Sequence, residues 1–508
     1  VGASAALIWG ANETAARRRP VPPEDHDPNT VCEHGSVTDA SPPTSGVPRR
    51  HVVVVGAGIA GLTAAHALMR DGRVRVTVLE SAPRTGGKLH RGEIAGHPTD
   101  LGAESVLARR PEAVALLTEL GLPVVSPVTT SASLWSRRQL RPFPAGQVMG
   151  VPTDLRSLAS SGVVSRVGVA RAALDQVLPA TAIGDDRSVA SFVGARLGRE
   201  VVDRLVEPLL GGIYAGRAEE LSLRATLPQV ANAAPKGSLL RALRPDRSAQ
   251  PDRSPVFAGV AGGLGQLAEA LTAGLSAGGV AVVLDAAVRD LTRRPTGWRL
   301  IYGSAANAKT IDADAVVLAL PATPASRLLA NDAPSASVEL AAIDYASMAV
   351  VTMAFAANAF EKPFAGSGFL VPAVERLLIK AATVSTSKWG WYSPDAVIVR
   401  CSIGRYGEVA DLQRPDNELI AGALRDLARC VGIRGVPIES AVTRWGGALP
   451  QYNVGHLDRV ARIKAAVEAV PGLAVCGAAF DGVGIPACIA SGRAAATRVM
   501  RQLFGEGE

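Results

Sequence analysis

The sequence predicts an α/β protein organised around a parallel, Rossmann-like sheet, and three observations carry that prediction. Val52 to Val55 are four consecutive valines, the mark of a strand covered on both faces. Gly56, Gly58 and Gly61 complete a GxGxxG pattern that runs straight into LTAAHALMR at helical spacing. A second β-rich run, Val74 to Leu79, then delivers an acid, Glu80, nineteen residues beyond Gly61. A glycine-rich turn alone is common, but strand, glycines, helix, strand and acid in this order form the pattern of a dinucleotide site. Gly56 permits the tight turn, Gly58 admits a pyrophosphate against the backbone, and Gly61 lets helix and strand pack closely. The helix start offers free N–H groups to the anion. Glu80 stands where a carboxylate accepts ribose hydroxyls.

Bulk properties narrow the alternatives. A chain of 508 residues has room for about two to four domains at ~150 residues each. Aromatic residues make up only 4%, too few for a base-stacking platform. The net charge of +7 comes mostly from scattered arginines. That distribution suits an anionic small molecule or an anionic membrane surface rather than a nucleic-acid backbone. The five cysteines, Cys32, Cys401, Cys430, Cys476 and Cys488, are odd in number and form no CxxC, so they read as reduced thiols of a cytosolic protein. The seven histidines are dispersed, and no metal site is expected.

In chain order, residues 1–50 are rich in Pro, Ser, Thr and Asp and cannot offset their ordering entropy, so they read as a disordered leader without chemistry. ALIW is too short for a signal-peptide core, and Arg17 to Arg19 follow it rather than precede it. Residues 51–110 form the first part of the dinucleotide domain. After Glu80, Arg84, Gly86, Gly87 and Lys88 make an R-x-G-G-K turn, able to face a phosphate or simply to close a hairpin. Asp100 to Ser105 is a second small-residue turn that could bring backbone against a ring system.

From 111 to 225 the reading is a largely helical insertion. PEAVALLTEL stops at Gly121, and segments 165–178 and 188–210 break at Pro179 and Gly211. Residues 226–255 read as an exposed connection. Residues 256–325 return to the dinucleotide domain, with a Gly-rich helix start, a strand over 280–284, Val288 just beyond it, and a strand within 311–326 ending in a Pro turn. The 16 uncharged residues that follow Asp344 are too few for the ~20 of a membrane span and alternate like a strand. They open a sheet-based substrate domain, 326–440. In the last part, 441–508, TRWGGALPQYNVGH (443–456) reads as helical. Leu473 to Cys476 reads as a strand, Gly477 to Pro486 as a Gly-rich loop, and the rest as a helix from about Ala487.

From His51 to the end the chain resembles the porphyrinogen oxidases of the amine-oxidase-like flavoprotein superfamily. The resemblance rests on HVVVVGAGIAGL, R-x-GGK, SVLARRPEA, PFPAGQVMGVP, EPLLGGIYAG, AGGLGQL, RWGGALPQYNVGH and GAAFDGVGIPACIASG. GxGxxG and GGK are superfamily-wide, whereas several of the others are specific to the family. The resemblance implies a Rossmann-like FAD-binding domain, a sheet-based substrate domain and an inserted helical domain. It also implies noncovalent FAD, since no SGGCY-like attachment motif is present. The implied FAD contacts are Gly56, Ala57, Gly58, Ile59, Ala60 and Gly61 in the first turn, then Glu80, Ser81, Gly87 and Lys88. Further contacts are implied at Gly102, Ala103, Glu104 and Ser105, at Val288 and Trp445, and at Val483, Gly484 and Ile485.

The family oxidises coproporphyrinogen III or protoporphyrinogen IX with O2, within haem biosynthesis. Family match and a composition suggestive of a GC-rich source favour coproporphyrinogen III. Loss of hydride from a methylene bridge leaves a cation delocalised over two pyrroles, so the protein need not supply a strong base. No Ser/His/Asp or paired-carboxylate constellation is present, and no catalytic residue is assigned. The substrate's propionates call for cations. The resemblance points to Arg110, with Arg109 beside it, and Arg137, Arg138 and Arg141 are further candidates. Gly211 to Gly216 and Gly366 to Leu370 could sandwich the macrocycle. Peripheral membrane contact, as in some relatives, and docking to a later haem-pathway enzyme stay open. So do two other classes: a flavin amine oxidase or carotenoid desaturase, and a non-catalytic dinucleotide-binding protein.

Overall fold

The computed structural model describes residues 49–245, 255–360 and 364–505. Residues 1–48 of the expected leader and 246–254 of the expected connection lie outside the described residues. The first unit is β1 (Arg50–Val55), α1 (Ile59–Asp71) and β2 (Val74–Leu79). Next come α2 (Pro111–Glu119), the hairpin β3 (Ala132–Ser136) and β4 (Gln139–Pro142), and helices α3 (Arg166–Ala173), α4 (Val189–Leu197) and α5 (Glu207–Tyr214). Two short helices follow, α6 (Pro228–Ala233) and α7 (Leu239–Ala242), then α8 (Gln266–Ala277) and β5 (Ala281–Val283). The meander β6 (Val288–Arg293), β7 (Trp298–Ser304) and β8 (Asn307–Ala313) leads to β9 (Ala315–Leu318). The substrate part holds β10 (Tyr345–Ala356), β11 (Gly368–Leu370), β12 (Ile379–Val384), β13 (Ala396–Ile403), α9 (Asp416–Val431) and β14 (Glu439–Pro450). The chain closes with α10 (His456–Glu468), β15 (Leu473–Val475) and α11 (Ile485–Phe504).

The valine run explains the first sheet. Five parallel strands lie in the order β5-β2-β1-β9-β15, with β1 central. Val52 and Val54 enter a core shared with Leu62 and Leu68 of α1 and Ile489 and Val499 of α11. Val53 and Val55 enter a second core on the other face, with Trp298 of β7 and Leu329. Each fully buried valine contributes about 1.5–3 kcal/mol relative to exposure, so the run fixes the centre of the sheet. The close contact of α11 with α1 depends on Gly492, where a Cβ would collide with Ala60 O.

The second sheet has seven strands in the order β14-β10-β13-β12-β11-β3-β4, antiparallel except for the β11–β3 pair. Its long strand β10 is the uncharged run after Asp344, paired on both sides. Among the described residues no helix is long and apolar enough to cross a membrane.

Four expectations about local structure change. Residues 443–450 belong to strand β14 rather than a helix, because β10 pairs with them from Tyr345 to Val350 and takes up the backbone groups along that edge. The 111–225 stretch is not wholly helical: β3 and β4 leave it to join the substrate sheet. Gly211 does not stop its helix, which ends at Tyr214 with Ala215 in the left-handed region. The 226–255 stretch is not simply an exposed connection, since Val230, Leu239 and Leu240 sit in the helical core.

Candidate functional site

The site is built on the loop between β1 and α1. Gly56 has φ 101°, and a Cβ there would lie 2.6 Å from Ala319 O. A Cβ at Gly61 would collide with Gly56 O, so this position admits only glycine. At Gly58, the N-cap of α1, a Cβ would meet nothing within 4 Å: this residue faces open space. No side chain caps α1, so no side chain competes with an anion for its first N–H groups. Glu80 closes the unit: its Oε2 accepts from Ala57 N at 2.6 Å and its Oε1 from Ala82 N at 2.9 Å. Each oxygen keeps further lone pairs for hydroxyl donors.

The R-x-G-G-K turn lies directly against this loop. Gly86 N donates to Ala57 O at 2.8 Å, and a Cβ at Gly87 would stand 3.2 Å from Gly58 Cα. Arg84 holds the turn from inside, donating to Gly87 O (2.8 Å) and Thr85 O (3.0 Å). Lys88 faces a cleft of about 310 Å³ whose lining also includes Gly56, Gly58, Ile59, Ala60, Glu80 and Ser81. Desolvation lowers the Lys88 ammonium from its usual range. From the distant predicted set, Gly87, Ala103, Val483 and Ile485 join the same lining. Gly484 caps the 20-residue helix α11, whose start also carries no side-chain cap, so two long helices open on one cleft.

Other predicted residues sit behind the lining. Ala57 and Gly61 shape the loop through backbone contacts, and Gly102 allows Lys88 O and the Trp445 ring to close in. Trp445 itself donates from Nε1 to Leu101 O at 3.2 Å. Val288 begins β6 and packs into the core under the first sheet. Glu104 is buried, and its carboxylate is bound by Lys388 and Arg400 of the substrate sheet, with Ser105 beside the Lys388 ammonium. Burial pushes the Glu104 carboxyl up, but the two cations outweigh it and hold the group at about 2. Arg109 and Arg110 lie at the start of α2, outside the cleft lining. The Arg110 guanidinium donates to Glu112 at 2.6 Å. Arg137 and Arg138 occupy the β3–β4 turn with positive φ, and Arg141 donates to Ser136 O.

Of the remaining walls, the sequence reading reached only the Gly-rich loop that begins at Gly477. Ala319 to Pro321 follow β9, Gly477 to Ala479 follow β15, and Tyr345, Ala448 and Leu449 come from β10 and β14. The rule that ligands bind at the carboxyl ends of parallel strands would have found the first two groups. The third requires knowing that β10 and β14 pair. Cys488 also lines the cleft, with burial pushing its thiol to about 11. Tyr345 accepts from Ala322 N at 2.8 Å through its hydroxyl, which burial raises to about 12.

Gly58, Gly87 and the two uncapped helix starts fit a dinucleotide with a pyrophosphate, as in FAD. Comparison with known proteins agrees. A family model described as flavin containing amine oxidoreductase matches residues 59–500. A protein named coproporphyrinogen III oxidase from Mycobacterium leprae is 40% identical over 456 residues, covering 88% of this chain and 97% of that one. Its namesake from Bacillus subtilis is 34% identical, covering 90% and 99%. A solved structure from Exiguobacterium, provisionally named a protoporphyrinogen oxidase, superposes with TM-score 0.79 at 31% identity over 89% and 99% of the two chains. Cyclohexylamine oxidase from Brevibacterium oxydans shares the fold at TM-score 0.67 and 19% identity, covering 90% and 100%. The chain belongs to the flavin-containing amine oxidoreductase family and stands within it among the coproporphyrinogen III oxidases.

Proposed function

We propose that this protein oxidises coproporphyrinogen III to coproporphyrin III with O2, using FAD held noncovalently in the cleft. The observation that carries the cofactor assignment is the convergence of the α1 and α11 starts on one cleft beside Glu80. The substrate assignment rests on relatives of that name at 30–40% identity over about nine-tenths of the chain. Bound FAD supplies a hydride acceptor that O2 reoxidises, so six electrons leave the substrate and three H2O2 form.

The chain's own residues bind, orient and enclose. The α1 amides and the gap at Gly58 receive the pyrophosphate. Glu80 receives ribose hydroxyls, and the start of α11 faces negative charge with its positive dipole end. Lys88 adds a cation to the lining. Arg109 and Arg110 are proposed as carboxylate partners at the start of α2. The buried free thiols Cys401, Cys430, Cys476 and Cys488 suit a cytoplasmic setting. Exposed Val167, Leu174 and Val177 near Arg166 offer a face for peripheral membrane contact or for a later pathway enzyme.

The test is turnover by the FAD-loaded protein in air, with coproporphyrinogen III and protoporphyrinogen IX supplied separately while porphyrin fluorescence and H2O2 are followed. Faster oxidation of the four-propionate substrate is expected. Preference for the two-propionate substrate moves the assignment to protoporphyrinogen IX, and oxidation of neither overturns the porphyrinogen reading.

A further inference from the structure

Outside the cleft, one cluster of buried charge has no role in the chemistry above. Strand β12 is buried along its whole length, yet its second residue is a lysine. Lys380 is 3% exposed, and its Nζ has no hydrogen-bond partner. Facing it are Glu207, in the first turn of α5, and Arg405, just past β13. Both are buried. Arg405 donates to Val371 O at 3.0 Å, while its Nε stands 4.0 Å from Glu207 Oε1. The other Glu207 oxygen accepts from Ala373 N at 3.3 Å. Glu408 is 3.8 Å from Arg405 but is half-exposed and shared with Arg217. The enclosed set is therefore two cations to one carboxylate, and all three donors of the ammonium are unused.

Such a group is costly. A buried polar group without a partner destabilises a fold, and an apolar residue of similar volume would be neutral or better. Desolvation pushes the Lys380 ammonium down to about 7 and the Glu207 carboxyl up to about 6. The cluster has the composition of a site that awaits an anion.

The surroundings connect it to the cleft. The helix passes through a π-turn at Val202–Val206 immediately before Glu207, a feature frequent at functional sites. One turn on, Gly211 is buried, yet a Cβ there would meet only Glu207 Oε1, at 3.6 Å, so space remains beside the carboxylate. Helix α5 packs on β11 and β12, which brings together the two glycine-bearing stretches expected to sandwich the macrocycle. Over about 10 Å at 1.5 Å per residue α5 reaches Tyr214. There the Tyr214 carbonyl accepts from Gln451, which lies two residues beyond cleft-lining Leu449.

We propose that Lys380 and Arg405 form the binding site for one substrate carboxylate, at the end of α5 remote from the cofactor cleft. This assignment rests on the porphyrinogen reading. A propionate takes the unused donors of Lys380 beside the Arg405 guanidinium, and supplies the second negative charge that the buried set lacks. The macrocycle then lies along α5 with its opposite edge toward the cleft. The pair acts in substrate positioning, not in the redox step.

The experiment uses FAD-loaded full-length protein as wild type, Lys380→Met and Lys380→Arg. Coproporphyrin III and its tetramethyl ester are titrated by fluorescence, and KM and kcat are measured with coproporphyrinogen III. Removing one charge-assisted pair corresponds to a rise of about 10–100-fold in Kd for the free acid and in KM. Ester binding and FAD content stay at wild-type values, and Lys380→Arg recovers most of the loss. If Lys380→Met binds acid and ester in the wild-type ratio, the lysine is structural and the assignment falls. Should Lys380→Met lose FAD or fold poorly, Lys380→Gln is read by the same ratio. A wild-type protein that neither binds coproporphyrin III nor oxidises coproporphyrinogen III overturns the porphyrinogen reading and this assignment together.

Discussion

Gly58 and Gly61 belong to one motif but do different work, and substituting each with alanine separates cofactor binding from folding. At Gly58 a Cβ meets nothing within 4 Å, and the backbone (φ −70°, ψ 173°) is open to any residue. Gly58→Ala therefore keeps the fold, with a stability change of under about 1 kcal/mol from the altered N-cap. Its methyl group, however, enters the space beside the first α1 amides, where a phosphate oxygen must approach to hydrogen-bond distance. Loss of one or two hydrogen bonds to a charged group, at about 1.5–3 kcal/mol each, weakens FAD binding by roughly ten- to a few-hundred-fold or more. Gly61→Ala is the opposite case. Its Cβ would collide with the Gly56 carbonyl and stand 3.0 Å from the Ala319 Cβ, and both obstacles follow directly on strands of the sheet. It costs about 1–3 kcal/mol or more of fold stability. The assays are FAD titration of apoprotein by flavin fluorescence and urea unfolding of the same apoprotein. Wild-type FAD affinity in Gly58→Ala would refute the placement of the pyrophosphate on this loop.

Glu104→Gln leaves Lys388 and Arg400 buried without their shared carboxylate and should cost about 3–5 kcal/mol in urea unfolding at neutral pH. Because Glu104 is held at about 2 in the fold against 4.5 unperturbed, its contribution is complete above about 4.5 and is lost as pH falls toward 2. The difference between wild type and Glu104→Gln should shrink across that window; a constant difference removes the carboxylate as its source. In a Cys32→Ser background, iodoacetamide should label the folded apoprotein slowly, and bound FAD should slow labelling of Cys488 further, since that thiol lines the cleft and burial raises it to about 11. Peptide mass mapping that finds no protection of Cys488 would place the cofactor elsewhere. Arg110→Ala removes a half-exposed pair with Glu112 and should alter stability by less than about 1 kcal/mol. A KM for coproporphyrinogen III raised about tenfold is expected if its guanidinium also serves a substrate carboxylate, whereas an unchanged KM leaves Arg110 to Glu112 alone.

The sequence by itself determined the β1–α1–β2 unit, the tight turn at Gly56, the close packing at Gly61, the position of Glu80 beside them and the glycine-rich approach to α11. These are local matters: each depends on backbone freedom, periodicity or an end-of-helix dipole within some thirty residues. Tertiary structure alone decided that residues 443–450 are a strand, since their partner β10 lies nearly a hundred positions away. It also decided that Glu104, which the family resemblance implies as a cofactor contact, spends its charge on Lys388 and Arg400. The same holds for Lys380, which the sequence shows only as one polar residue in an apolar strand. Burial and ion pairing are set by which distant surfaces the chain brings together, and no short-range pattern records them.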